Sequence, residues 1–284
     1  MHRRRAPEAL LAASLLLTGG PILADPDLPQ TEAPPPAPAE PAPIDRPSLA
    51  LFGTIPIYWG EGDGMEDVLA GTATAHWARA LLERRHALHP LATLLDGDLA
   101  GHHALLIAQP RVLSPAENVA LDRWIRGGGQ VLLFADPLLS AESRHPLGDR
   151  RRPQDVVLLS PLLRHWGLDL RFAADQPPDR QVREIAGMLL PHQLSGTFGL
   201  LSDSTGCALQ GAEILADCAL GGGRVVILAD AALLDLYHPA AGAEEALEAL
   251  VLRAFGPEGA VMQNNDLARA PRLQPVDKAV HNGP

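Results

Sequence analysis

Four carboxylates are the residues of this chain best placed by type and position to do chemistry. Glu61 and Asp63 lie in the glycine-rich acidic stretch Trp59-Gly60-Glu61-Gly62-Asp63-Gly64, while Asp136 and Asp230 close the apolar runs QVLLFAD and VVILAD. If they converge in one crevice, they could hold a hard cation such as Ca²⁺ through oxygen ligands. They could equally accept the hydroxyls of a sugar-like ligand, or divide acid and base roles in hydrolysis of a glycan. Trp59 opens the same loop and joins them as a ligand-binding candidate. The plainer reading is that aspartates at strand ends cap neighbouring turns and helices. Their spacing matches no defined metal loop such as the EF-hand.

Other constellations fall short of a catalytic motif. Gly62 and Gly64 lack the lysine and the following Ser/Thr of a P-loop, and do not fit G-x-G-x-x-G. The chain has 11 histidines but no H-E-x-x-H. His102 and His103 are adjacent, and on a strand neighbouring side chains point to opposite faces. Neither a metal centre nor a cofactor is expected. There is no G-x-S-x-G nucleophile elbow. Arg150, Arg151 and Arg152 could clasp a phosphate or carboxylate through their guanidinium forks. They lie in a long polar connection, and a partner surface suits them better than a substrate site. Cys207 and Cys218 are the 2 cysteines of the chain. A disulfide between them is possible in an oxidising compartment. Direct pairing in a hairpin needs a turn centred on Ala212-Glu213, whereas Gly211 suggests a turn slightly earlier; two buried free thiols are the alternative.

The elements that must position these residues alternate. Leu49 to Trp59 reads as a buried strand interrupted by Pro56. Ala73 to His86 has helical spacing, Leu88 to Leu94 reads as a second strand, and His103 to Pro110 as a further short one. Ser114, Pro115 and Glu117 form a capping box that opens a helix to Ile125. Gly127-Gly128-Gly129 ends that helix and Gln130 to Asp136 follows as a strand. Strand, capped helix and strand make a βαβ unit, which builds a parallel sheet. Ser160 to Trp166 opens another helix and Gln181 to Leu201 looks rich in strands. Ile214 to Leu220 and Arg224 to Asp230 flank Gly221-Gly222-Gly223 as a late β-hairpin. Glu244 to Phe255 is a closing amphipathic helix. The expected fold is a three-layer α/β domain with a mainly parallel sheet flanked by helices, spanning residues 48–256.

Outside that domain the texture changes. His2, Arg3, Arg4 and Arg5, an apolar run from Ala9 to Leu17, the breaker Gly19-Gly20-Pro21 and a small residue at Ala24 follow the signal-peptide pattern. The apolar run is shorter than a membrane span requires. With no cysteine at the cut, a lipid anchor is not expected. Residues 1–24 therefore read as a signal peptide and the mature chain as periplasmic or secreted, with no membrane span. Residues 25–47 are proline-rich and favour an extended spacer, and residues 257–284 read as a loose tail. Of 284 residues 46% are hydrophobic, so a core of useful size can be buried. The formal net charge of −11 argues against binding nucleic acid or an anionic membrane.

The stretch HALLIAQPRVLSPAENVALDRWIRGGGQVLLFADP (103–137) resembles class I glutamine-amidotransferase-like folds. Within them it is most similar to the auxiliary periplasmic domain of gliding-motility-type ABC transporters. GGGRVVILADAALLD (221–235) resembles the final glycine turn, strand and acidic end of the same family. The resemblance implies a flavodoxin/glutamine-amidotransferase-like fold and, as partners, membrane or ATPase subunits of an ABC transporter. In catalytic amidotransferases a nucleophilic cysteine follows the strand corresponding to QVLLFAD, and here Asp136-Pro137 stands in its place. The glycine-rich oxyanion segment is replaced by Gln109-Pro110-Arg111. The resemblance thus implies a non-catalytic accessory or binding domain of a transport or cell-envelope system. The alternative is a hydrolase acting on an envelope glycan through the strand-end carboxylates.

Overall fold

The computed structural model describes residues 46–256 apart from 63 and 203–205. The signal-peptide reading, nearly all of the proline-rich spacer, the C-terminal tail and Asp63 lie outside the described residues.

Apolar runs of four to six residues supply the centre of the fold. The elements are β1 (Ser48–Gly53), α1 (Met65–Ala70), α2 (Trp77–Glu83), β2 (Ala87–Pro90), α3 (Asp96–Leu99), β3 (Ala104–Ala108), α4 (Pro115–Arg126), β4 (Gln130–Phe134) and α5 (Ser160–His165). They continue as β5 (Leu168–Phe172), β6 (Gln181–Ile185), β7 (Met188–His192), β8 (Gly196–Leu200), β9 (Cys207–Gln210), β10 (Leu215–Leu220), β11 (Gly223–Leu228), a 3₁₀ turn at Ala232–Leu234 and α6 (Ala243–Phe255). The main sheet has the order β2-β1-β3-β4-β11-β10-β9. β2, β1, β3, β4 and β11 are parallel, and β10 and β9 extend the sheet antiparallel. The parallel part is the flavodoxin-like order of doubly wound sheets. The class is three-layer α/β, with β10–β11 as the late hairpin. Two small antiparallel pairs, β5–β8 and β6–β7, lie outside the main sheet.

Successive residues of a strand face opposite sides, and here both sides are buried. Leu106, Leu132, Phe134, Val226 and Leu228 pack beneath α2 and α6, against Leu81, Leu82, Leu247 and Leu250. Leu105, Ile107, Val131, Leu133 and Ile227 face the other way, onto Leu99 of α3, Leu121 and Ile125 of α4, and Leu162 and Leu163 of α5. That two-sided burial explains why the sequence of β3, ALLIA, shows no polar alternation. The apolar run after residue 48 does not continue as strand to Trp59. β1 stops at Gly53, whose backbone meets Ala108 so closely that a Cβ would lie 1.9 Å from the Ala108 oxygen.

Helix α4 starts as its capping box requires. Ser114 Oγ accepts from Glu117 N (3.2 Å) and the Glu117 carboxylate accepts from Ser114 N (2.8 Å). Glu117 also takes Leu94 N and both terminal nitrogens of Arg111. The helix predicted from Ala73 begins later, at Trp77, because Thr74 pairs with Glu61 in a β-bridge and His76 becomes the N-cap. His76 Nδ1 accepts from Ala78 N, and Nε2 contacts the Leu234 carbonyl oxygen at 3.0 Å. Burial lowers its pKa to about 4, so the ring is neutral and Nε2 carries the hydrogen.

Cys207 and Cys218 face each other across β9 and β10 and form a disulfide. The intervening turn runs from Gly211 and is centred on Ala212 and Glu213, and all three residues have positive φ (59°, 55° and 68°). Gly211 answers a second need besides its left-handed turn: a Cβ there would lie 2.4 Å from Ile185 of β6.

Candidate functional site

In an open α/β sheet, ligands bind outside the carboxyl ends of the parallel strands. Three connections meet at that edge: β1 to α1, β4 to α5, and β11 to α6. Of the sequence-selected carboxylates, Glu61, Asp136 and Asp230 lie on them, with Glu61 in one set of hydrogen bonds and the two aspartates in another.

The first cluster is Asp136 with Asp230. Phe134 and Leu228 are paired in the parallel β4–β11 ladder, so the two aspartates extend neighbouring strands two residues further on. Both are wholly buried. Asp136 Oδ1 accepts from Leu138 N (2.8 Å) and Oδ2 from Ala231 N (3.0 Å). Asp230 Oδ1 accepts from Ala232 N (2.8 Å) and Oδ2 from Gln193 N (2.8 Å). Each aspartate therefore caps its own turn, and each also ties down a second segment. Burial pushes the Asp136 pKa up to about 7, against the two backbone N–H groups, which favour the charged form. Burial also pushes Asp230 well above the carboxylate range, and the neighbouring Asp136 charge adds to the shift.

Gln109 completes this cluster. It sits at the end of β3 with φ 47° and is fully buried. Its Nε2 donates to the carbonyls of Asp136 (2.9 Å) and Gln154 (2.8 Å), and its Oε1 accepts from Asp136 N (2.8 Å). A left-handed glutamine at a strand end marks a backbone held for a purpose. Here it pins the β3 and β4 termini to the β4–α5 connection.

The second cluster is built on Glu61, which is 3% exposed. Its Oε1 accepts from Ser143 Oγ (2.8 Å), and its Oε2 accepts from Arg144 N (3.0 Å) and the Tyr237 hydroxyl (2.7 Å). One carboxylate thus gathers all three edge connections. Above it Thr74, Glu142, Ser143, Arg144 and Tyr237 line an open polar hollow of about 290 Å³. Among the described residues Glu61 shares no hydrogen-bond partner with Asp136 or Asp230. Trp59 is 55% exposed. It lines a different hollow of about 100 Å³, with Ile55, Pro90 and Leu91 among its neighbours.

The arginine triplet is divided. Arg151 holds the Asp149 carboxylate through Nε (3.1 Å) and Nη2 (2.7 Å). Arg152 reaches Asp155 and the carbonyls of His145 and Ala141, which makes it part of the loop's frame. Arg150 is exposed. Among the described residues no group of three or more His, Cys, Asp or Glu side chains could hold a metal ion.

The sequence pointed to Glu61, Asp136 and Asp230, and to Gln109-Pro110 at a strand end, but not to Gln109 as the anchor of the Asp136 backbone or to Ser143 and Tyr237 as partners of Glu61. The signal for Gln109 was present, as a polar residue closing an apolar strand run directly before Pro110. Ser143 and Tyr237 had none, being 82 and 176 residues from Glu61 in the chain.

No family model and no curated protein matches the chain. Solved structures with similarity include the mmIFT52 N-terminal domain, with 13% identity and TM-score 0.46 over 72% of this chain and 96% of that one. A ThuA-like protein from Bacteroides uniformis matches at 11% identity and TM-score 0.40 over 77% of this chain and 97% of that one. A beta-galactosidase from Rahnella sp. R3 matches at 14% identity and TM-score 0.42, over 74% of this chain but only 31% of the enzyme.

Proposed function

We propose that this chain is an exported, non-catalytic accessory or binding domain of an ABC-type transport or cell-envelope system. The observation that carries the reading is the state of Asp136 and Asp230. Asp136 stands at the strand end where a glutamine amidotransferase keeps its nucleophile and Asp230 at the end of the neighbouring strand; both carboxylates are buried and every oxygen accepts a backbone N–H. A catalytic carboxylate must be open to substrate or water, and both of these side chains are buried. The resemblance of residues 103–137 and 221–235 to the periplasmic domain of gliding-motility-type transporters supplies the partner class: transporter membrane or ATPase subunits.

Export is supported by the signal-peptide pattern of residues 1–24 and by the disulfide, since such bonds persist in oxidising compartments. Among the described residues no helix is long and apolar enough to cross a membrane. The exposed residues of the carboxyl edge, with Arg150 and the hollow above Glu61, are the surface assigned to the partner.

The competing reading is a hydrolase acting on an envelope glycan. It draws on the one feature that acid–base catalysis would want, a carboxyl pair with raised proton affinity. Incubating the purified protein with isolated envelope glycans tests the choice. No turnover is expected from the native chain. Product formation abolished by Asp136→Asn would establish the hydrolase instead.

A further inference from the structure

The Asp136–Asp230 pair does more than cap two turns, because its four oxygens join segments that are distant in sequence. Asp136 links the start of the β4–α5 connection to Ala231 after β11. Asp230 links the same post-β11 turn to Gln193, between β7 and β8. Gly196 N, a little further along, donates to the Ala229 carbonyl (2.7 Å) and holds the β7–β8 segment against the same strand end. Two of these three segments then run on to Ser143, Arg144 and Tyr237, the groups that surround Glu61.

Two ionised carboxylates on neighbouring strand ends, without solvent, repel each other and lose hydration. We infer that Asp136 and Asp230 form a proton-operated latch, in which at least one carboxyl keeps its proton while the three segments are docked, and losing that proton loosens them. The inference does not depend on the accessory reading, since it concerns the stability of this edge whatever binds there.

The charges around the pair are few. Arg180, before β6, is paired with Asp235 at 2.6 Å and also donates to the His238 carbonyl, so its charge is largely committed. Asp235 accepts from Tyr237 N and His238 N on its other oxygen. From β7 comes His192, whose ring lies 3.3 Å from Ser195 Oγ, and from the N-cap of α2 comes His76. Burial lowers both histidines, so they add stability as pH rises toward the ordinary histidine range. Gln109, which bonds the Asp136 backbone from the end of β3, is neutral.

The sign for the aspartates is the reverse. Their folded-state affinity for protons exceeds that of an unfolded aspartate, titrating at about 3.9. The stabilisation is therefore complete below that value and is lost as pH rises through about 7. Subtracting the double variant Asp136→Asn, Asp230→Asn, which removes both carboxyls of the pair, from the native chain cancels the histidine contribution, which both share. The test is denaturant unfolding of both proteins from about pH 4 to about pH 8. The native folding constant is expected to fall relative to that of the variant by up to about tenfold per pH unit for one proton. Parallel curves would overturn the latch.

Should the variant fail to fold, two measurements on the native chain decide the matter. Carbon-13 resonances of the aspartate carboxyls should show one protonated carboxyl near pH 6, and both ionised there would overturn the proposal. Amide exchange at Gln193, Leu138, Ala231 and Ala232 should lose protection between about pH 6 and 8 relative to Leu106 and Leu132. Unchanged relative protection would contradict it.

Discussion

Ser114 and Glu117 illustrate what a short-range motif determines. The serine hydroxyl takes the Glu117 amide, and the glutamate takes Ser114 N, Leu94 N and the Arg111 fork. The Arg111 bond leads the causes that hold the Glu117 carboxyl down at about 2. Replacing Ser114 by alanine removes the hydroxyl acceptor and should cost about 1 kcal/mol, readable as a lower denaturation midpoint with unchanged slope. This arrangement was legible because its two halves are three residues apart. Glu61 was legible only as an acidic residue in a turn. Its role depends on Ser143, Arg144 and Tyr237, which the chain delivers from two other connections. Asp136 and Asp230 fall between these cases. Their strand-end positions could be read directly, but their burial depends on loops folding back over the edge.

At the level of elements, strands buried on both faces announced themselves most clearly; the partly exposed β2 was also read, but it ends at Pro90 and does not continue to Leu94. β3, β4 and β11 are apolar runs bounded by turns, and the capped α4 between β3 and β4 identified the βαβ unit. β6 leaves four of its five residues exposed, and β9 is a four-residue edge strand, so neither has a clear apolar signature. The β10–β11 hairpin turned where expected, through Gly221 and Gly222, with Leu220 opposite Gly223. Gly223 is needed for a second reason: a Cβ there would lie 2.0 Å from the Ile125 carbonyl oxygen at the end of α4. The edge strand β9 is held by the Cys207–Cys218 disulfide, which closes a loop with a sequence separation of 11. Replacing both cysteines by serine should lower stability by about 2–3 kcal/mol, a loop-closure magnitude. Thermal unfolding of native and double-variant protein would show it, and equal midpoints would mean that the sheet edge holds β9 unaided.

For the whole molecule, apolar periodicity and turn chemistry led to a mainly parallel α/β sheet with the candidate residues at the carboxyl ends of its strands. They did not separate the two acidic clusters on that edge, because the separation is made by long connections whose paths are set by tertiary hydrogen bonds. The account that results is of a rigid sheet whose carboxylates hold loops in place and whose loops present a surface. Mild crosslinking of intact cell envelopes, followed by mass spectrometry of the peptides joined to this chain, tests that claim most directly. The account predicts links from the carboxyl-edge connections, residues 138–158 and 229–242, to a membrane or ATPase subunit of an ABC transporter. Recovery of the chain unlinked, from envelopes whose glycan the purified protein cleaves, would contradict it.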